Sequence, residues 1–106
     1  LAQLGVWEWN LATNEIYWSE ELYRLYGFVP GQVEPSFELM QEKIPQDQFE
    51  NLLTKANQIT IDLKPYEYDH QIIFSDGTEK KIYGRAKAIA DQTGKPVKVT
   101  GISWDI

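Results

Sequence analysis

Hydrophobic and polar residues alternate first near the N-terminus, where Trp7, Trp9 and Leu11 fall on one face and Glu8 and Asn10 on the other. This period-two pattern predicts a half-buried strand over Leu4–Leu11. Ala12-Thr13-Asn14 supplies a turn, and Glu15–Trp18 continues as a second strand, so the chain opens with a hairpin. The period then changes. Ser19 suits a helix N-cap, and Glu20 and Glu21 lie where the helix dipole favours negative charge. Leu22, Leu25 and Tyr26 follow at helical spacing until Gly27. Phe28–Pro35, with Pro30, Gly31 and Pro35, reads as a connector. Ser36 is the expected cap of a second short helix, with Phe37, Met40 and Ile44 on one face and Pro45 as its stop. Asp47 and Glu50 have capping-box spacing. They predict that the longest helix runs from Asp47 to Gln58 with an apolar stripe of Phe49, Leu52, Leu53 and Ala56.

From Pro65 the period returns to two, with Tyr66, Tyr68, His70, Ile72 and Phe74 on one face of a long strand. Asp76-Gly77 is a strong hairpin signal. In the strand that follows, Ile82, Gly84, Ala86 and Ala88 share one face, and Lys81, Tyr83, Arg85 and Lys87 share the other. A turn around Gly94 leads to a last strand over Val97–Ile106. Two strands, short helices and three long strands give an α+β domain. The three consecutive strands form an antiparallel meander, which the opening hairpin joins. Helices over one face of such a sheet leave the space between the layers as the natural place for a pocket.

A length of 106 residues, 42% of them hydrophobic, fits a single domain over 1–106 with a modest core. The chain has no long apolar run and no signal-peptide pattern, so no direct membrane contact is expected. It begins at Leu1 without an initiator Met and is expected to be a piece of a larger multidomain protein. Zero cysteines exclude disulfides, thiolate metal ligands and a cysteine nucleophile, and fit a reducing, cytoplasmic setting for a parent that is itself soluble or membrane-anchored. The net charge of −6 argues against nucleic acid. Lys80, Lys81, Arg85 and Lys87 are read as a solvated strand face.

The order of these motifs resembles the PAS superfamily, in the subgroup that opens with a Gly-x-Trp-x-Trp strand. Gly5-Val6-Trp7-Glu8-Trp9-Asn10-Leu11 is similar to that opening, and Ile16 to Phe28 to the second strand, first helix and following glycine. Pro45-Gln46-Asp47 is similar to the Pro-x-Asp before the long helix, Asp76-Gly77 to the hairpin, and Gly94-Lys95-Pro96-Val97 with Gly101 to the last turn and strand. Trp104-Asp105-Ile106 stands where an Asp-Ile-Thr signature would lead into a linker helix. The chain departs from the family at Ile44 (often His), Gln71 (often Arg) and Lys81 (commonly Trp). The resemblance implies a five-stranded antiparallel sheet in order 2-1-5-4-3 with helices over one face. It also implies a regulatory role, expected here as the sensory module of a bacterial sensor histidine kinase in a two-component system. The alternatives are a ligand-free dimerisation or spacer module, or the input domain of a cyclic-dinucleotide enzyme.

The small inner face of Ile82, Gly84, Ala86 and Ala88 leaves volume for packing, water or a ligand. The expected pocket walls are Trp9, Leu25, Met40, Leu52, His70, Ile72, Ile82 and Gly84, which suit a small organic ligand. His70 is the lone histidine and Asp69 points away from it, so no metal site is expected. The resemblance speaks against haem, because haem-binding relatives carry a histidine on the long helix. Some relatives form a flavin adduct through a cysteine, which the absence of cysteine excludes here, and the cofactor is left unknown. Trp7, Trp9 and Trp18 could stack on a non-covalent flavin, but they more simply fill the core. No acid–base pair points to an enzyme. The outward, apolar Tyr83, Ile102 and Trp104 predict an interface with a flanking helix or a second copy in a homodimer. Trp104, Asp105 and Ile106 are the expected signal relay.

Overall fold

The computed structural model describes residues 4–105. The opening hairpin pairs β1 (Gly5–Asn10) with β2 (Ile16–Trp18), and the C-terminal meander consists of β3 (Tyr66–Ile73), β4 (Glu79–Ala90) and β5 (Pro96–Asp105). β1 joins the meander antiparallel to β5, Trp7 lying opposite Gly101, and the single sheet has the order β2-β1-β5-β4-β3. The α+β architecture and strand order are those expected. Helices α1 (Glu20–Leu25), α2 (Phe37–Lys43) and α3 (Gln46–Asp62) lie between the hairpin and the meander in sequence.

Local chemistry explains most of the boundaries. The Ser19 hydroxyl accepts from the Leu22 amide, capping α1, and also from the Val6 amide at 2.8 Å, which ties the helix start to β1. A Cβ at Gly5 would fall 2.9 Å from Leu22, so a glycine there lets α1 sit close against the strand. Ser36 caps α2 by accepting from the Leu39 amide at 3.0 Å. Gly77 (φ 87°) and Gly94 (φ 88°) occupy the left-handed positions of the two meander turns.

The long helix departs from expectation at both ends. It starts at Gln46, with Pro45 as N-cap and no side-chain cap, so Asp47 lies inside the first turn and closes no capping box. Proline presets the extended entry (φ −52°, ψ 141°), and Gln46 Nε2 donates to the Glu50 carboxylate at 3.0 Å instead. At the other end the helix continues past Gln58 to Asp62, and Leu63 in the left-handed conformation terminates it. Burial of Ile59, only 1% exposed, holds this extra turn despite the weak helix preference of Ile59, Thr60 and Ile61.

Two buried clusters form the core. One gathers Trp18, Leu22, Leu25, Tyr26, Ile72 and Ile82 under α1. The other gathers Ile59, Tyr68, Ala86 and Val99 under α3.

Candidate functional site

Between helices and sheet lies a cavity of about 70 Å³, lined by aromatic and aliphatic side chains. A buried water needs about 10–15 Å³, so this volume holds a few waters or a molecule of a few heavy atoms. β1 contributes Trp7 and Trp9, α1 and its C-cap Leu22 and Tyr26, α2 Phe37 and Met40, α3 Phe49 and Leu52, β3 Tyr66, Tyr68 and His70, and β5 Ser103. No Asp, Glu, Lys or Arg lines it among the described residues.

Of the residues expected to form the walls, the structure brings Trp9, Met40, Leu52 and His70 together at this cavity. Leu25, Ile72 and Ile82 do not reach it. They interlock in the α1 cluster, where Ile72 and Ile82 are wholly buried. Gly84 is occupied in another way: a Cβ there would fall inside the Tyr68 ring. Tyr68 and Gly84 are direct cross-strand neighbours, so the ring lies across the bare backbone and fills the volume left by the small residues of β4. Gly101 does the same for Trp7.

These two rings meet over their glycines. Trp7 Nε1 donates to Tyr68 Oη at 2.7 Å, and Tyr68 Oη shares a hydrogen bond of 2.6 Å with Ser103 Oγ. Tyr68 Oη also lies 3.4 Å from the Ile102 carbonyl oxygen, and each of the three groups has a partner. Trp7, Tyr68 and Ser103 were missing from the expected walls. The signal for Tyr68 was its shared inward parity with His70, together with the glycines opposite.

The other polar corner is looser. His70 is 3% exposed, and burial moves its pKa down from the usual histidine value, so the ring is neutral at pH 7. His70 Nδ1 lies 3.3 Å from the Gln71 carbonyl oxygen, which can only accept, so Nδ1 carries the proton and Nε2 is an acceptor. Its donor is Tyr26 Oη, at 3.5 Å, the outer limit for a hydrogen bond. Burial, followed by the neighbouring Tyr68, raises the Tyr26 pKa far above neutrality. Tyr66 is raised in the same way.

Where β5 ends beside the start of β4, Asp105 pairs with Lys80 at 3.3 Å, and Lys80 Nζ lies 5.7 Å from the Phe74 ring centroid. Ile106 lies outside the described residues. The outward face carries the expected apolar group. Tyr83 is the register partner of Trp104, and Ile102, 36% exposed, lies between Val6 and Arg85. The neighbouring cations are paired, Arg85 with Glu67 and Lys81 with Asp69, so this strand face is close to charge balance. Among the described residues no group of three His, Cys, Asp or Glu side chains is placed to hold a metal ion, and no helix is long and apolar enough to cross a membrane.

A family model described as PAS fold matches residues 15–103. The chain belongs to the PAS fold family. It is 24% identical over 97% of its length to a probable diguanylate cyclase of Escherichia coli, and spans only 9% of that protein. Among solved structures it resembles the N-terminal domain of a diguanylate cyclase with PAS/PAC sensor from Marinobacter aquaeolei. The TM-score is 0.82 and the identity 18%, over 97% of this chain and 94% of that one. It also resembles a sensory box histidine kinase/response regulator from Burkholderia thailandensis, with a TM-score of 0.78 and 21% identity, over 97% of this chain and 76% of the other. PAS membership makes this a sensor domain, non-catalytic in itself.

Proposed function

We propose that the chain is the input module of a larger bacterial signalling protein, in which a small molecule in the cavity biases the sheet and the change passes along β5 to an output domain. The supporting observation is the placement of Ser103. It lines the cavity, bonds Tyr68, and stands two residues before Asp105 on the same strand. Asp105, held by Lys80, and Trp104, facing outward beside Tyr83, form the relay together with Ile106. Release of Asp105 from Lys80 would free its carboxylate to brace a following helix.

Two outputs stand level. A sensor histidine kinase is in keeping with the likeness to the Burkholderia sensory box, and a diguanylate cyclase with the other two relatives. A cytoplasmic setting is in keeping with the nucleotide chemistry of either output. In the intact parent, Asp105→Ala should abolish the dependence of autophosphorylation or cyclic-dinucleotide synthesis on the signal while leaving basal output. Unchanged signal dependence sinks the relay.

The outward patch of Val6, Tyr83, Ile102 and Trp104 favours a second role, self-association or docking of a flanking helix. Native mass spectrometry separates the two readings: a bound small molecule supports sensing, and a dimer with no bound mass supports the scaffold.

A further inference from the structure

We infer that the cavity takes a small uncharged organic molecule bearing a hydroxyl, which bridges His70 Nε2 and Tyr26 Oη. The inference rests on the sensing reading above and adds the chemistry of the ligand.

Charge is the first constraint. No cation or carboxylate lines the cavity among the described residues, so an ionic ligand would enter without a counter-charge. The second constraint comes from counting polar partners. Trp7 Nε1, Tyr68 Oη and Ser103 Oγ are already bonded to one another. Trp9 Nε1 donates to Asn14 Oδ1 at 2.7 Å, outside the cavity. Tyr66 and Trp18 also line the cavity, but their side chains offer one polar group each, whereas the Tyr26–His70 pair sets a donor and an acceptor side by side, 3.5 Å apart. Hydrogen bonds of this kind close to about 2.7–3.0 Å when nothing holds the groups back.

A ligand hydroxyl meets both needs at once, donating to His70 Nε2 and accepting from Tyr26 Oη. A ketone can accept from Tyr26 but gives Nε2 nothing. A carboxylate adds an uncompensated charge. The remaining walls are aromatic and aliphatic, with Met40 the most adaptable of them. Met40 and Phe37 lie on α2, which has no buried residue, so the side of the cavity that must yield to a larger ligand is the least anchored layer of the domain. Size is the third constraint, because about 70 Å³ suits an aliphatic alcohol of a few heavy atoms.

The test uses three molecules of similar size: 2-propanol, acetone and acetate. Each is titrated into the labelled chain while the His70 imidazole nitrogens and the Tyr and Trp side-chain resonances are followed by NMR. The expected result is that 2-propanol shifts His70 Nε2 and binds about fivefold more tightly than acetone, the worth of one neutral hydrogen bond, while acetate leaves the cavity resonances unmoved. In His70→Phe, which keeps a ring of similar size, and in Tyr26→Phe, the preference for 2-propanol over acetone should shrink toward one. Dispersed amide spectra show that each variant has folded. Acetone or acetate binding as well as 2-propanol, or a preference that survives His70→Phe, overturns the hydroxyl assignment and leaves the cavity as a sensory site. If none of the three molecules perturbs a cavity resonance, both the assignment and the sensing reading fall.

Discussion

The cavity has two polar corners, and they are built to opposite ends. At one, Trp7, Tyr68 and Ser103 form a network of bonds of 2.6–2.7 Å over the bare backbone of Gly84 and Gly101. At the other, His70 and Tyr26 face each other at 3.5 Å, in a site just as deeply buried. The first corner is architecture, because each group has its partner and its ring has a seat that no other residue could leave open. The second has spare hydrogen-bonding capacity where a ligand could use it. One sheet face thus carries both a fixed anchor and a responsive site, and the difference lies in whether polar groups are satisfied rather than in how deeply they are buried.

The most forceful way to break the comparison is to remove the seat. Gly84→Ala drives a methyl into the Tyr68 ring and should destabilise the domain by about 3 kcal/mol, measured by urea unfolding. In a Tyr68→Ala background the same change should cost far less, because the two positions share one volume. Additive effects would mean that the ring is not seated on Gly84.

Removing hydroxyls sharpens the contrast. Tyr68→Phe strands the indole N–H of Trp7 and the hydroxyl of Ser103 and should cost about 1–3 kcal/mol. Tyr26→Phe loses only the long contact to His70 and should cost less than about 1 kcal/mol. Equal losses in the two variants would erase the distinction between the corners.

Acidification acts on the loose corner next. The folded-state pKa of His70 lies below its unfolded value of 6.5, so the unfolded chain binds the extra proton first. The contribution is complete above pH 6.5 and is lost as the pH falls from there toward the folded pKa, with a slope of at most about 1.4 kcal/mol per pH unit. Around the ring stand the Tyr26 and Tyr68 hydroxyls, neutral throughout because burial raises both, and Asp69 on the opposite strand face. Asp62, Asp76 and Asp91 also have lowered pKa values, but they act only below their ordinary 3.8, outside this window. His70→Phe should flatten the slope between pH 7 and 5 in denaturant titrations. The smallest stability effect belongs to Asp105→Ala. Its pair with Lys80 is partly exposed and should contribute no more than about 1 kcal/mol to a thermal or urea midpoint.

Much of this architecture was legible in the sequence because it depends on local periodicity. Trp7 and Trp9 on one side of β1, the caps at Ser19 and Ser36 and the turns at Gly77 and Gly94 each follow from a few neighbouring residues. The long helix departs from its local pattern at both ends, since Pro45 takes the place of the expected cap and burial of Ile59 carries the helix beyond Gln58. The cavity was only half legible. Inward parity nominated Ile72 and Ile82 as readily as His70, and only the packing of α1 against β1 decides that the first two are sealed in the core. The small face of β4 correctly signalled missing side-chain volume, but nothing within that strand reveals that a tyrosine from the next strand fills it.

The central claim is that occupancy of the cavity is felt at the end of β5. Backbone amide spectra of the chain with and without 2-propanol test it directly, with Trp104 and Asp105 as reporters. The account predicts that shifts begin at His70 and Tyr26, extend through Ser103 and reach Asp105, and that they stop short of Asp105 in His70→Phe. Shifts confined to the cavity walls, with Trp104 and Asp105 unmoved, would contradict it.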